Sequence, residues 1–189
     1  AQCLVGSEMC IRDRFRDAAW RAMNIGFDAV EVHAAHGYLL SQFLDPLINE
    51  RDDEYGGSFD NRVRMLVEVV DAIRSVVPDT MPVLVRVSAT DWAAGGWDLD
   101  QTVELAKILK AHGVDLIDVS TGGLIPDVTI PVKPDYQVPF AEQVRSRAGI
   151  PTTAVGLITK PKQAKKILKS GAADAVEIGR AALRDPCLL

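Results

Sequence analysis

From Phe15 onward one alternation repeats, and nothing else in the chain restricts its fold as strongly. Short apolar runs rich in β-branched residues alternate with longer amphipathic ones. "AVEVH", "PVLVRVSA", "VDLIDVS", "PTTAVG" and "DAVEIG" read as strands. "FRDAAWRAMNIGFD", "NRVRMLVEVVDAIRSVV", "LDQTVELAKILKAHG", "PFAEQVRSRAG" and "KPKQAKKILKSGA" carry helical spacing, and "RAALRDP" opens a last short helix. Gly26 is the expected stop of the first helix, Asp60 the expected cap of the second, and Asp98 or Asp100 that of the third. Nearly all-apolar strands alternating with helices predict an α/β fold, a parallel sheet covered by helices.

Five strands suit an open doubly wound sheet, a complete five-stranded domain, or part of a barrel. No G-x-G-x-x-G follows any strand, which argues against the dinucleotide-binding open sheet. Chemistry-capable residues stand instead at several strand ends: His33, Arg86 with Ser88, Ser120, Gly156, and Gly179 with Arg180. Barrels assemble their sites from the C-terminal ends of many strands. A (β/α)₈ TIM barrel is the expectation. Such a barrel takes eight strands and about 250 residues, so this one is expected to be incomplete, with about strands 4 to 8 present.

The first fourteen residues, "AQCLVGSEMCIRDR", show no clear period. The string looks like a translated sequencing adaptor, so residues 1–14 are expected to be a non-native leader or a disordered arm. Residues 15–189 are then the partial barrel domain.

Composition excludes several functions. The net charge of −5 argues against a nucleic-acid partner. No apolar run reaches the roughly 18 residues of a membrane span, and the start does not resemble a secretory signal. The three cysteines make neither a disulfide framework nor a zinc spacing, so a cytoplasmic location is expected.

"EVHAAHGYLL" places His33 and His36 three apart after a strand, with Tyr38 close behind. Zinc binding needs at least one more ligand, and His112 lies at a distant helix end, so no metal is expected. Two readings remain. The imidazoles are buried and satisfied by backbone, or they donate two hydrogen bonds to one carbonyl oxygen whose negative charge builds as a conjugated carbon accepts hydride. In the second reading Tyr38 supplies a proton. Arg86 interrupts an apolar strand, and burying a guanidinium is costly unless it meets an anion or acceptors. A structural ion pair and a ligand site both satisfy that condition. Gly156 and the Gly179–Arg180 pair end the last two strands, where barrels bind phosphate, although single glycines there also serve as plain turns.

The linked string "HAAHGYLLSQFLDPLINERDDEYGGSFDNR" closely resembles the old yellow enzyme family of FMN-dependent oxidoreductases. The likeness continues through "VLVRVSATD", "GVDLIDVSTGG", "PTTAVGLIT" and "AVEIGRAALRDP", covering Phe15 to Leu189. The two histidines resemble the bacterial ene-reductase branch also called NADPH dehydrogenase. The resemblance implies FMN as cofactor and NAD(P)H as co-substrate, with hydride passed through the flavin to the C=C of an α,β-unsaturated carbonyl compound. It implies that His33 and His36 hold the carbonyl oxygen, Tyr38 protonates the α-carbon, and Arg86 reaches the pyrimidine edge of the flavin. It further implies that Gly156, Gly179 and Arg180 meet the FMN phosphate, and that Arg51, Asp53 and Arg62 form ion pairs behind the site. The expected partner is a small enone-type molecule, without nucleic acid or membrane, and the full-length protein is expected to be a homo-oligomer. Two other readings stay open: an inactive truncated barrel fragment, and a flavin-independent phosphate-binding barrel enzyme.

Overall fold

The computed structural model describes residues 7 to 188. Five strands, β1 (Val30–Ala34), β2 (Val83–Ser88), β3 (Leu116–Ser120), β4 (Thr152–Ala154) and β5 (Ala175–Val176), form one parallel sheet in the order β1-β2-β3-β4-β5. Each strand lies beside its neighbour in sequence, with no reversal of direction across the sheet. A doubly wound sheet requires such a reversal, whereas a barrel winds in one direction only. Among the described residues, β1 and β5 each pair on one side.

The helices are α1 (Glu8–Asn24), α2 (Leu39–Leu44), α3 (Phe59–Arg74), α4 (Leu99–Ala111), α5 (Val138–Ala148), α6 (Pro161–Ser170) and α7 (Arg180–Arg184). Successive helices touch side by side, α1 on α3, α3 on α4 and α4 on α5, so they cover one face of the sheet. That face is apolar: Val32, Ala34, Val83, Val85, Val87, Ile117 and Val119 are buried in a single core with Leu66, Val69, Leu105 and Leu109 of the helices. None of the described helices is long and apolar enough to cross a membrane.

Strand alternation sends the intervening residues to the other face. The register aligns His33, Arg86, Asp118, Thr153 and Ala175 in one row across all five strands. The strands are therefore not apolar on both sides; one face is a polar floor. A slip of one residue would drive Arg86 and Asp118 under the helices and expel valines worth about 1.5–3 kcal/mol each. The register is set by that penalty.

The first helix begins at Glu8, seven residues before the expected Phe15. Ser7 accepts from the Cys10 N–H, Glu8 suits the positive end of the helix dipole, and Arg16 pairs with Asp13 one turn back. Local capping and pairing thus support a helix where apolar periodicity is weak. The expectation for residues 1–14 lies outside the described residues up to residue 6. The second expected helix is capped by Ser58 rather than Asp60, through the Asn61 N–H, and Asp98 caps α4 through the Gln101 N–H. The short α2 was not expected; its buried Leu40, Phe43 and Leu44 make it a tertiary product more than a local one.

Candidate active site

Three loops, after β1, β2 and β3, converge above the polar floor, and His36 is where they meet. Its backbone N–H donates to Ser88 Oγ (3.1 Å), whose hydroxyl donates to the Gly122 carbonyl (2.8 Å). Its ring Nε2 lies 2.7 Å from Ser120 Oγ at the end of β3. His36 has φ +61°, a left-handed conformation uncommon outside glycine, and one that persists only where the surroundings over-determine it. Glycine makes the approach feasible. A Cβ on Gly123 would fall 2.9 Å from His36 Cα, and one on Gly37 would fall 2.8 Å from the Gly123 carbonyl oxygen.

His33, the last residue but one of β1, lies beside it. The two imidazole centroids are 5.4 Å apart, and the Tyr38 ring is 5.2 Å from His33. Tyr38 is exposed, and its ring is the outermost of the three. Among the described residues, the His33 ring makes no hydrogen bond. The sequence reading with backbone-satisfied imidazoles therefore fails for both rings. Burial, and then the Arg86 charge, hold both imidazoles below their ordinary range, against the opposing effect of Asp118. Both are neutral near pH 7 and retain one N–H each.

Below this trio, Arg86 is the register partner of both His33 and Asp118. Its Nε lies 2.9 Å from Asp118 Oδ2 and its Nη2 lies 3.3 Å from Glu177 Oε2. Asp118 is wholly buried and also accepts from Thr153 Oγ1 (2.7 Å). The Arg86–Asp118 contact is an ion pair without hydrogen-bond alignment, so neither Nε nor Oδ2 has a hydrogen-bond partner. Glu31, Asp118 and Glu177 bring carboxylate oxygens within 4.8 Å of one another. Burial foremost, then Asp118, raises Glu177 to about 7, while Arg86 opposes the shift. The positive charge that this carboxylate group requires comes from Arg86. The side chain remains partly exposed.

The glycines of the last two strands differ. Gly156, at φ +120°, packs against Tyr136 and Gln137, where a Cβ would meet atoms at 3.2–3.3 Å. Through Gln137 it adjoins the Ser120 network. Gly179 and Arg180 are exposed beyond β5, a Cβ on Gly179 would meet nothing within 4 Å, and Arg180 has no ion-pair partner among the described residues. Nothing joins this pair directly to the histidines, although Glu177, two residues earlier, reaches Arg86.

The loop after α2 holds one ion pair of the expected three residues, Arg51 with Asp53, and Arg51 also reaches Glu8 (2.7 Å). Arg62 forms no ion pair; it donates to the carbonyls of Leu44 and Gly57 and to Gln101 Oε1. Arg62 is a buried backbone clamp because three acceptors surround it. Sequence reasoning missed Asp118, Glu177 and Gln137. For the two acids the signal existed: each interrupts an apolar strand, as Arg86 does. Gln137, in a loop, carried none.

A further carboxyl pair lies behind the site. Asp45 and Asp91 are each about 1% exposed, and the Trp97 N–H donates to Asp91 Oδ2 at 2.6 Å. Burial first, then Asp45, pushes Asp91 up to about 8, so this carboxyl is protonated at neutral pH.

The family model described as NADH:flavin oxidoreductase / NADH oxidase matches residues 9–189. The chain is 52% identical over 172 residues to an NADPH dehydrogenase of Listeria monocytogenes, covering 91% of this chain and 50% of that one. It thus spans about half the length of the curated relatives it matches. Morphinone reductase in complex with tetrahydroNAD superposes with a TM-score of 0.77 at 32% identity, covering 98% of this chain and 48% of that one. An old yellow enzyme homologue from Zymomonas mobilis gives a TM-score of 0.79 at 26% identity, covering 98% and 52%. The parallel α/β fold is that of these TIM-barrel neighbours, and the chain belongs to the NADH:flavin oxidoreductase / NADH oxidase family, the old yellow enzyme family of FMN-dependent oxidoreductases.

Proposed function

We propose that this chain supplies about strands 4 to 8 of a (β/α)₈ barrel whose whole protein reduces the C=C of α,β-unsaturated carbonyl compounds. The supporting observation is the cluster of two neutral imidazoles and a phenol beside a partly exposed arginine, at the C-terminal ends of β1 and β2. The unpaired edge of β1 is flanked by an apolar groove of Phe15, Phe27, Val30 and Ile73, a surface suited to a preceding strand and helix.

The residues present fit FMN. Arg86 has a charged side chain that stays partly exposed on the polar face of the sheet. That charge suits the electron-rich edge of a flavin ring. Arg180, without an acidic partner, and the unobstructed backbone at Gly179 suit a phosphate, and Gly156 completes the adjoining loop. When bound, FMN supplies the hydride carrier between NAD(P)H and the β-carbon of the enone.

The chain's own residues do the rest. Imidazole N–H groups of His33 and His36 donate to the carbonyl oxygen and stabilise the charge that grows there. Being neutral, they do so without a counter-charge from the protein. Tyr38 gives its phenolic proton to the α-carbon. The protein is cytoplasmic and the full-length chain assembles with copies of itself.

The test is colour. The full-length protein purifies yellow with a flavin absorption band, and this chain expressed alone purifies colourless and poorly soluble, its β1 edge exposed. A colourless full-length protein contradicts the flavin reading. A monodisperse yellow preparation of this chain alone contradicts the barrel-fragment reading.

A further inference from the structure

Ser120 is 5% exposed, and behind it stands Gln137, 4% exposed. Gln137 Oε1 accepts from Thr121 Oγ1 at 2.7 Å and, over a longer 3.3 Å, from Ser120 Oγ. His36 Nε2 lies 2.7 Å from the same Ser120 oxygen. Ser120 has one hydroxyl proton and two candidate acceptors. The imidazole nitrogen is the nearer and the more basic, and the amide oxygen already has Thr121. The proton therefore goes to His36 Nε2.

The consequence follows from proton counting. Burial, then Arg86 and His33, keep the His36 ring neutral, with a single proton. A neutral imidazole that accepts at Nε2 carries that proton on Nδ1. The opposite tautomer would offer a lone pair to a carbonyl oxygen and repel it.

We propose that Ser120 is a positioning residue that keeps His36 in the Nδ1–H tautomer, leaving Nδ1 as the donor to the substrate's carbonyl oxygen. The tautomer assignment stands on the hydrogen-bond geometry together with the neutral ring; its catalytic consequence rests on the proposed function. The strained backbone at His36 fits this role, because Ser88, Gly123 and Ser120 fix the residue from three sides.

Histidine-selective ¹⁵N labelling of the full-length FMN-loaded protein, read by long-range ¹H–¹⁵N correlation, reports which ring nitrogen is protonated. His36→Asn identifies the signal. The expected result is Nδ1–H in the unmodified protein, a shift toward Nε2–H in Ser120→Ala, and recovery of Nδ1–H in Ser120→Thr, which keeps a hydroxyl. An Nε2–H ring in the unmodified protein overturns the proposal whatever the variants do, as does an unchanged tautomer in folded Ser120→Ala. In the same samples, flavin reoxidation by an enone should slow roughly tenfold in Ser120→Ala, the value of one good hydrogen bond, and recover in Ser120→Thr. If the tautomer shifts and enone turnover does not, the catalytic half is overturned. The effect of His36→Ala, which removes the donor, then separates the two failures: a slow enone step keeps the proposed function, and an unaffected one removes it.

Discussion

Arg86 and Asp118 are register partners on β2 and β3, and their Nε and Oδ2 atoms lie 2.9 Å apart on the polar face of the sheet. Asp118 is fully buried while the Arg86 side chain keeps 26% exposure, so the acid is the dependent partner. Arg86→Met should leave Glu31, Asp118 and Glu177 without their cation, and cost about 3–5 kcal/mol, the usual result of breaking a buried pair from one side. Arg86→Met,Asp118→Leu, which removes both charges, should recover part of that loss. Denaturant titration of the three full-length proteins checks this; an Arg86→Met variant as stable as the parent would show that the pair contributes nothing.

Asp91 provides a pH prediction. Its carboxyl titrates at about 8 in the fold, above the unfolded value of about 3.9. Between these values the folded chain binds a proton that the unfolded chain has released. Stability should therefore fall as pH rises from about 4 to about 8, by up to about 1.4 kcal/mol per unit, and level off above. Asp91→Asn can still accept from Trp97 and donate to Asp45, and should flatten this slope. Thermal midpoints of the full-length proteins measured across that range decide it, and a parallel pH dependence in the two would refute the raised Asp91 carboxyl.

Much of the fold was legible because it is written in periodicity. The strand positions and their parallel arrangement follow from β-branched runs alternating with amphipathic ones, while the single winding direction follows from the chemistry-bearing residues at successive strand ends. The polar floor was legible only at Arg86; Asp118 and Glu177 interrupt equally apolar runs and carry the same signal. Helix α2 and the early start of α1 were hidden, one because six residues carry too little period, the other because capping rather than patterning supports it. At the site, His33, His36 and Tyr38 were found as a cluster, since they sit within six residues of one another. Ser120 was visible as a strand end, but its bond to His36 spans 84 residues and depends on how two loops cross. No local pattern encodes that.

Tyr38 is exposed over His33, so its phenol is open to a bound substrate. Tyr38→Phe keeps the ring contact and removes the proton donor. Hydride transfer to simple enones should continue while protonation becomes limiting, giving slower product formation and a larger solvent isotope effect. Unchanged rates on every enone tested would assign the proton to solvent or another residue.

The pairing of His33 and His36 over Arg86 is the centre of the account, and stopped-flow measurement of the two half-reactions in full-length His36→Ala tests it most directly. Loss of one donor to a developing oxyanion should slow flavin reoxidation by an enone about 10²-fold or more, while flavin reduction by NAD(P)H falls much less. Equal losses in both half-reactions would contradict the assignment of this histidine to the substrate carbonyl.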